Sequence, residues 1–123
     1  MKAADLPLHY NAVDILERNL PHRADKTALF AVEREATFQE VSAEVNRVGN
    51  AVRAAGLHMG ECVAILAPDS VEWVTAYFGT IKAGAVALSL NTLLTPAEFA
   101  YMMADCRARV LIVHEALLDK VDG

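Results

Sequence analysis

The stretch Thr80–Met103, TIKAGAVALSLNTLLTPAEFAYMM, carries one lysine and then fifteen residues without a charge, Ala83 to Ala97. Such a run can be a membrane segment, a ligand loop or the middle of a buried sheet. It is too short for the first, because a helix needs about 20 apolar residues to span the hydrocarbon of a bilayer. Gly84, Asn91 and Pro96 also interrupt it. The punctuation divides it instead. A helix ends at Lys82 to Gly84, AVALSL (Ala85–Leu90) reads as a strand, and Asn91–Thr95 is a loop. A new helix opens at Thr95, a threonine cap followed by proline at the first helical position and by Glu98, which returns a bond to the cap. A parallel strand covered on both faces explains the missing charge.

The segments on either side repeat the pattern. Upstream, ECVAILA (Glu61–Ala67) reads as another buried strand, broken by PDS. SVEWVTAYFGTIKAG is then a helix with Ser70 as its cap and Gly84 as its stop. Its spacing places Val71, Val74, Phe78 and Ile81 on one face, with Trp73 and Tyr77 to the side. Downstream, RVLIVH (Arg109–His114) is a third buried strand and EALLDKV opens a last helix. Strand, helix, strand, helix, strand predicts right-handed crossovers and a three-layer αβα core on a mostly parallel sheet.

Further toward the N-terminus, Thr37 and Glu40 form a capping box for a helix from Phe38 to about Ala55. Val41, Val45, Val48, Val52 and Ala55 share one face of it, and Gly56 closes it. KTALFAV (Lys26–Val32), a turn at ERE and a short strand near Ala36 predict a small β-hairpin. NAVDILERNLP predicts one short helix, capped by Asn11 and ended by Pro21. The chain stops at DKVDG just as a helix begins, which suits a truncation.

Composition narrows the function. The chain has 123 residues, enough for one core, with 54% apolar residues and a formal charge of −5; mean hydropathy is +0.26. Without a basic block, nucleic acid is not an expected partner. The N-terminus lacks the apolar run of a signal peptide, and no segment reads as a membrane span, so a cytoplasmic location is expected. Cys62 and Cys106 have no CxxC context and read as two buried thiols, with a disulfide left open. His9, His22, His58 and His114 have no ligand spacing and read as surface or capping residues.

In an open parallel sheet, ligands bind beyond the carboxyl ends of the strands. Those ends carry Pro68, Asp69 and Ser70, then Asn91 to Thr95, then His114 and Glu115. Each also has a structural reading: Asp69, Ser70 and Thr95 as caps, Glu115 as an acid at a helix N-terminus. Lys82 could be a base or a phosphate ligand, but a cation in the last turn of a helix needs no further reason. Trp73 and Tyr77 could stack on a ligand or pack against the next layer. No dinucleotide fingerprint, Walker A loop, nucleophile elbow or HExxH is present.

The order and spacing of several short motifs resemble the start of an adenylate-forming enzyme, the superfamily of acyl- and aryl-CoA ligases, luciferases and nonribosomal adenylation domains. TFQEV (Thr37–Val41) resembles the first core motif, Leu-Thr-Tyr-x-Glu-Leu. IKAGAVALSLN (Ile81–Asn91) resembles the second, Leu-Lys-Ala-Gly-x-x-x-x-Pro-Leu with Asp or Asn, and PDSVEW resembles the turn between them. The likeness runs from about Asn11 to Leu118. SLNTLLTPAEFAYMMADCRARVLIV brings it nearest to the benzoate-CoA ligase group. Two departures stand out: Ser89 replaces a common proline, and Leu93 and Leu94 offer no charge where some CoA ligases bring a basic residue toward the CoA nucleotide.

The resemblance implies that residues 1–123 are the N-terminal part of the large domain of an acid-CoA ligase. Its partners would be the remainder of its own chain and a small carboxylic acid, with a homo-oligomer possible in principle. ATP, Mg²⁺ and CoA would serve the full-length protein and none is expected in this part alone. The family's phosphate loop, ribose-binding Asp and C-terminal lysine fall outside the matching segment, so no catalytic, cofactor-binding or metal residue is carried over. A standalone α/β binding or interaction module, and an adenylation domain that loads a carrier protein, are the alternatives. The coding sequence beyond Gly123 separates them.

Overall fold

In the computed structural model, which describes residues 2–122, the first part of the chain is built from short helices and a hairpin. The Asn11 side chain accepts the Val13 amide, and two four-residue helices follow, α1 (Asp14–Glu17) and α2 (Leu20–Arg23). The single helix expected here is thus broken. Pro21 lies in the first turn of α2, where its missing N–H leaves no bond unmade. At the break, the Asn19 side chain donates to the carbonyls of Ile15 and Leu16.

β1 (Thr27–Phe30) and β2 (Glu35–Thr37) form the predicted antiparallel hairpin, with Leu29 opposite Ala36 and an irregularity between Thr27 and Leu29. Both bonds of the Thr37 capping box are made. The Glu40 amide donates to Thr37 Oγ1 at 3.2 Å, and the Thr37 amide donates to the Glu40 carboxylate at 2.8 Å. They start α3 (Phe38–Ala54), which buries Val41, Val45, Gly49 and Val52. Ala55 is not on that face; it is the exposed C-cap.

The second part is the parallel sheet. β3 (Cys62–Leu66), α4 (Val71–Lys82), β4 (Val86–Ser89), α5 (Pro96–Asp105) and β5 (Val110–Val113) follow in order. Both pairings are parallel and the spatial order is β4–β3–β5, so the first strand made is the central one. Side chains alternate across a strand. Val63 and Ile65 therefore meet Val52 of α3 and Ala76 of α4, while Ala64 and Leu66 meet Leu90 and Phe99 on the other side. A further cluster of Val13, Ala36, Val41, Val45 and Val71 binds α1 and the hairpin to the α3–α4 pair. The three layers are α3 with α4, the sheet, and α5.

Three expectations need correction. Full burial holds for β3 alone, at all five positions. β4 and β5 are the sheet's edges among the described residues; Val86 is 54% exposed and β5 is half-buried throughout. The uncharged run is therefore partly an edge strand. Second, α4 turns Val71, Thr75, Ala76, Gly79 and Thr80 inward, while Val74, Phe78 and Ile81 are half-buried. The helix is packed against α3 on one side and the sheet on the other, and the tight contact selects small residues. A Cβ at Gly79 would lie 2.6 Å from Val48 Cβ and 2.9 Å from the Val45 carbonyl oxygen. Third, the last helix is a 3₁₀ segment, Glu115–Lys120, capped by His114. The expected left-handed stop is found at Gly84, with φ +86°.

Candidate functional site

The loop after β3 leaves toward α4 on one face of the sheet, and the loop after β4 leaves toward α5 on the other. Loops that part in this way open a crevice at the carboxyl edge. Here it is an open cleft of about 560 Å³, with Pro68, Asp69 and Trp73 on one wall and Ser89, Asn91 and Leu93 on the other. Ser70 shapes the first wall: its Oγ accepts the Trp73 amide at 3.1 Å and its hydroxyl donates to the Pro68 carbonyl at 2.9 Å. The Trp73 indole N–H donates to Ser89 Oγ at 3.2 Å, which ties the walls together. Asn91 Oδ1 accepts the Leu93 amide at 2.9 Å, and Lys120 Nζ donates to the Thr92 carbonyl at 2.8 Å, so the second wall is also braced.

Trp73 stacks on Tyr77 with ring centroids 5.0 Å apart and planes 14° from parallel. Both rings pack against the cluster of Val52, Val63, Ile65 and Ala76. They serve the layer contact, and Trp73 alone of the two reaches the cleft.

A second hollow of about 180 Å³ lies across the Asp69–Ser70 turn, beneath the hairpin loop, and gathers Arg34, Glu72 and His114. Arg34 bonds Glu44 at 2.9 Å and Glu72 at 2.8 Å. Those two partners hold its guanidinium above even its ordinary range, Glu44 more than Glu72. Glu72 is held below the usual carboxylate range, first by its own backbone amide and then by Arg34. The trio clasps the hairpin to α3 and α4. His114 faces the 3₁₀ segment, where Nδ1 accepts the Ala116 amide at 3.1 Å.

Of the residues singled out at the strand ends, the structure gathers Pro68, Asp69, Asn91, Thr92 and Leu93 along the cleft, and disperses the rest. Lys82 is at the amino edge, far along α4 from the cleft, in an ion pair with Glu17. Thr95 caps α5 and shares a box with Glu98, whose carboxylate is held below its usual range first by the Thr95 amide and then by the Thr95 hydroxyl. Ser70 caps α4. His9, His22 and His58 are exposed. Cys62 is buried, Cys106 is half-buried, and both are free thiols. The Arg34 clasp had no signal in the sequence, because Glu72 lies 38 positions away.

The charged side chain that lines the cleft is Asp69, an anion. Among the described residues, no three His, Cys, Asp or Glu side chains are grouped so as to hold a metal ion. No described helix is long and apolar enough to cross a membrane.

The sequence profile of the family described as AMP-binding enzyme matches residues 16–123. A 3-hydroxybenzoate–CoA/4-hydroxybenzoate–CoA ligase of Thauera aromatica is 42% identical over 94 residues, covering 76% of this chain and 18% of that protein. A benzoate–CoA ligase of the same organism is 37% identical over 119 residues, covering 94% of this chain and 23% of that protein. Among solved structures, the anthranilate CoA ligase AuaEII in complex with anthranoyl-AMP matches with a TM-score of 0.96 at 61% identity, over 99% of this chain and 24% of that one. The chain thus spans about a fifth to a quarter of the length of these relatives.

Proposed function

The chain belongs to the AMP-binding enzyme family, and from that premise we propose that the protein carrying it is an AMP-forming aryl acid–CoA ligase. Residues 1–123 are then the N-terminal segment of its large domain. The observation that supports this most is the match to the anthranilate CoA ligase, which extends over 99% of the chain. In the proposed reaction a carboxylate oxygen attacks the α-phosphorus of ATP and pyrophosphate leaves. The thiol of CoA then attacks the acyl carbon of the acyl-AMP, and AMP leaves with the bonding electrons. Benzoate-like acids, anthranilate among them, are the proposed substrates.

The part this chain plays is structural. The first step gathers four phosphorus-bound charges and a carboxylate, and it needs cations aimed at the transferring group. The cleft offers Asp69, while Arg34 and Lys82 are already paired with acids. We therefore assign no catalytic, cofactor-binding or metal residue to residues 1–123. The chain supplies a braced wall at the carboxyl edge against which other parts of the protein build the site.

The test is acid-dependent pyrophosphate release and thioester formation, with ATP, Mg²⁺ and CoA supplied. It runs on the whole protein and on residues 1–123, with benzoate, hydroxybenzoates, anthranilate and a fatty acid series. The whole protein should turn over the aryl acids and residues 1–123 should not. A whole protein that ignores every acid, or passes the acyl group only to a carrier protein, would overturn the CoA-ligase reading. Turnover by residues 1–123 would overturn the structural role.

A further inference from the structure

The chain has two cysteines, 44 positions apart, and the fold brings their sulfurs to 3.1 Å. Cys62 is the first residue of β3, and Cys106 is the C-cap of α5. α5 connects two parallel strands and so runs back along the sheet, which delivers its last residue to the amino edge, away from the cleft. The two thiols differ in access. Cys62 is 6% exposed and directs its S–H at Cys106 Sγ, whereas Cys106 is half-buried and hydrogen-bonds the Met103 carbonyl at 3.6 Å. No third ligand among the described residues makes the pair a metal site.

We propose that Cys62 and Cys106 are a disulfide-forming pair, which a hydroperoxide closes into a bond between the start of β3 and the end of α5. The geometry asks little of the fold. A disulfide needs its sulfurs about 2.05 Å apart, so the approach left is about 1 Å, within the range of side-chain rotation. The order of events follows from access. The Cys106 thiolate attacks the peroxide, the O–O bond breaks, and a sulfenic acid forms while the departing oxygen takes a proton as water or an alcohol. The Cys62 sulfur then attacks the sulfenic sulfur. The S–S bond forms, the S–O bond breaks, and hydroxide leaves with the Cys62 proton as water. Two thiols have given two electrons and two protons to one hydroperoxide.

Burial, and then the Cys106 sulfur beside it, pushes the Cys62 thiol up to about 11. It stays protonated and poorly nucleophilic toward oxidants in solution. Its partner at 3.1 Å is a different target, since a sulfenic acid formed there is an electrophile in contact. Closing the bond loops β3, α4, β4 and α5 into one ring. That restricts the unfolded chain and stabilises the folded one.

Peptide mapping decides the matter on the whole protein. Trypsin cuts after Lys82, between the two cysteines. After brief exposure of the reduced protein to hydrogen peroxide and alkylation of remaining thiols, the Cys62 and Cys106 peptides should appear linked, lighter by two hydrogens, and part on treatment with dithiothreitol. The oxidised protein should melt higher by about 2–4 °C, and Cys62→Ser should lose that rise. In Cys62→Ser the reaction should stop at Cys106 as a sulfenic acid that dimedone traps. If the variant does not fold, the map of the unaltered protein still decides. Two fully alkylated cysteines after peroxide, a Cys106 sulfinic acid beside reduced Cys62, or a linkage only between separate chains would each overturn the proposal.

Discussion

At Gly79 the backbones of α3 and α4 touch, and an added methyl would meet Val48 Cβ at 2.6 Å and a carbonyl oxygen at 2.9 Å. Neither neighbour is the loose end of a flexible side chain. We expect Gly79→Ala to lower stability by about 1–3 kcal/mol through overpacking, seen as a lower urea midpoint. Gly84 is required for a different reason. Its surroundings are open, with Met59 no nearer than 3.6 Å, but its φ of +86° strains any L side chain. Gly84→Ala should cost about 1–2 kcal/mol from backbone strain alone. Equal midpoints for Gly79→Ala and its parent would mean that Val48 moves aside. Thr37→Ala should cost about 0.5–2 kcal/mol by removing the cap of α3; an unchanged midpoint would leave that box without energetic weight. Thr37 and Gly84 were legible in the sequence because caps and stops are local. Gly79 was not, because a close approach belongs to two helices at once and leaves no trace in the spacing of either.

Among the elements, the Arg34 clasp joins β-hairpin, α3 and α4 through side chains that remain partly exposed. Its worth is that of a surface network, about 0.5–1 kcal/mol, and it should weaken as salt rises. The Glu72 pKa is lower in the folded protein than in the unfolded chain, so its contribution is present above the ordinary glutamate range. It is lost as pH falls through the depressed folded value. Arg34→Met should remove part of that acid-side loss and raise the Glu72 pKa, measured by carboxyl titration in nuclear magnetic resonance; an unmoved Glu72 titration would discount the clasp. The strands and the three longer helices were readable from period and punctuation, while the break between α1 and α2 and the 3₁₀ form of the last segment were not. Which strands are edges was not, since VALS and VLIV look as apolar as CVAIL, and their exposure depends on what lies beside them. The hollow at the carboxyl edge follows from strand direction and loop position, both of which are local enough to read. The pairing of Lys82 with Glu17 and of Arg34 with Glu72 spans 65 and 38 positions, beyond any local pattern.

On the scale of the molecule, residues 1–123 present apolar side chains that water should not see for long. Phe30 is 75% exposed and Leu93 is 86% exposed, and β4 and β5 have open edges among the described residues. We expect residues 1–123 prepared alone to self-associate, with a mass that grows with concentration in light scattering; a monomer at high concentration would argue against it. The strand order β4–β3–β5 also acts in time. β3 leaves the ribosome before either of its neighbours, and β4 follows roughly twenty residues later, which at translation rates of about 5–20 residues per second means about 1–4 s of waiting. α4 can shield Val63 and Ile65 within that interval, but Ala64 and Leu66 wait longer, until Phe99 of α5 has been made. The strand that the fold buries most completely is thus bare on one side while synthesis continues, and a chaperone that binds short extended apolar segments would find its target at Cys62–Leu66 on ribosomes halted before α5 has emerged.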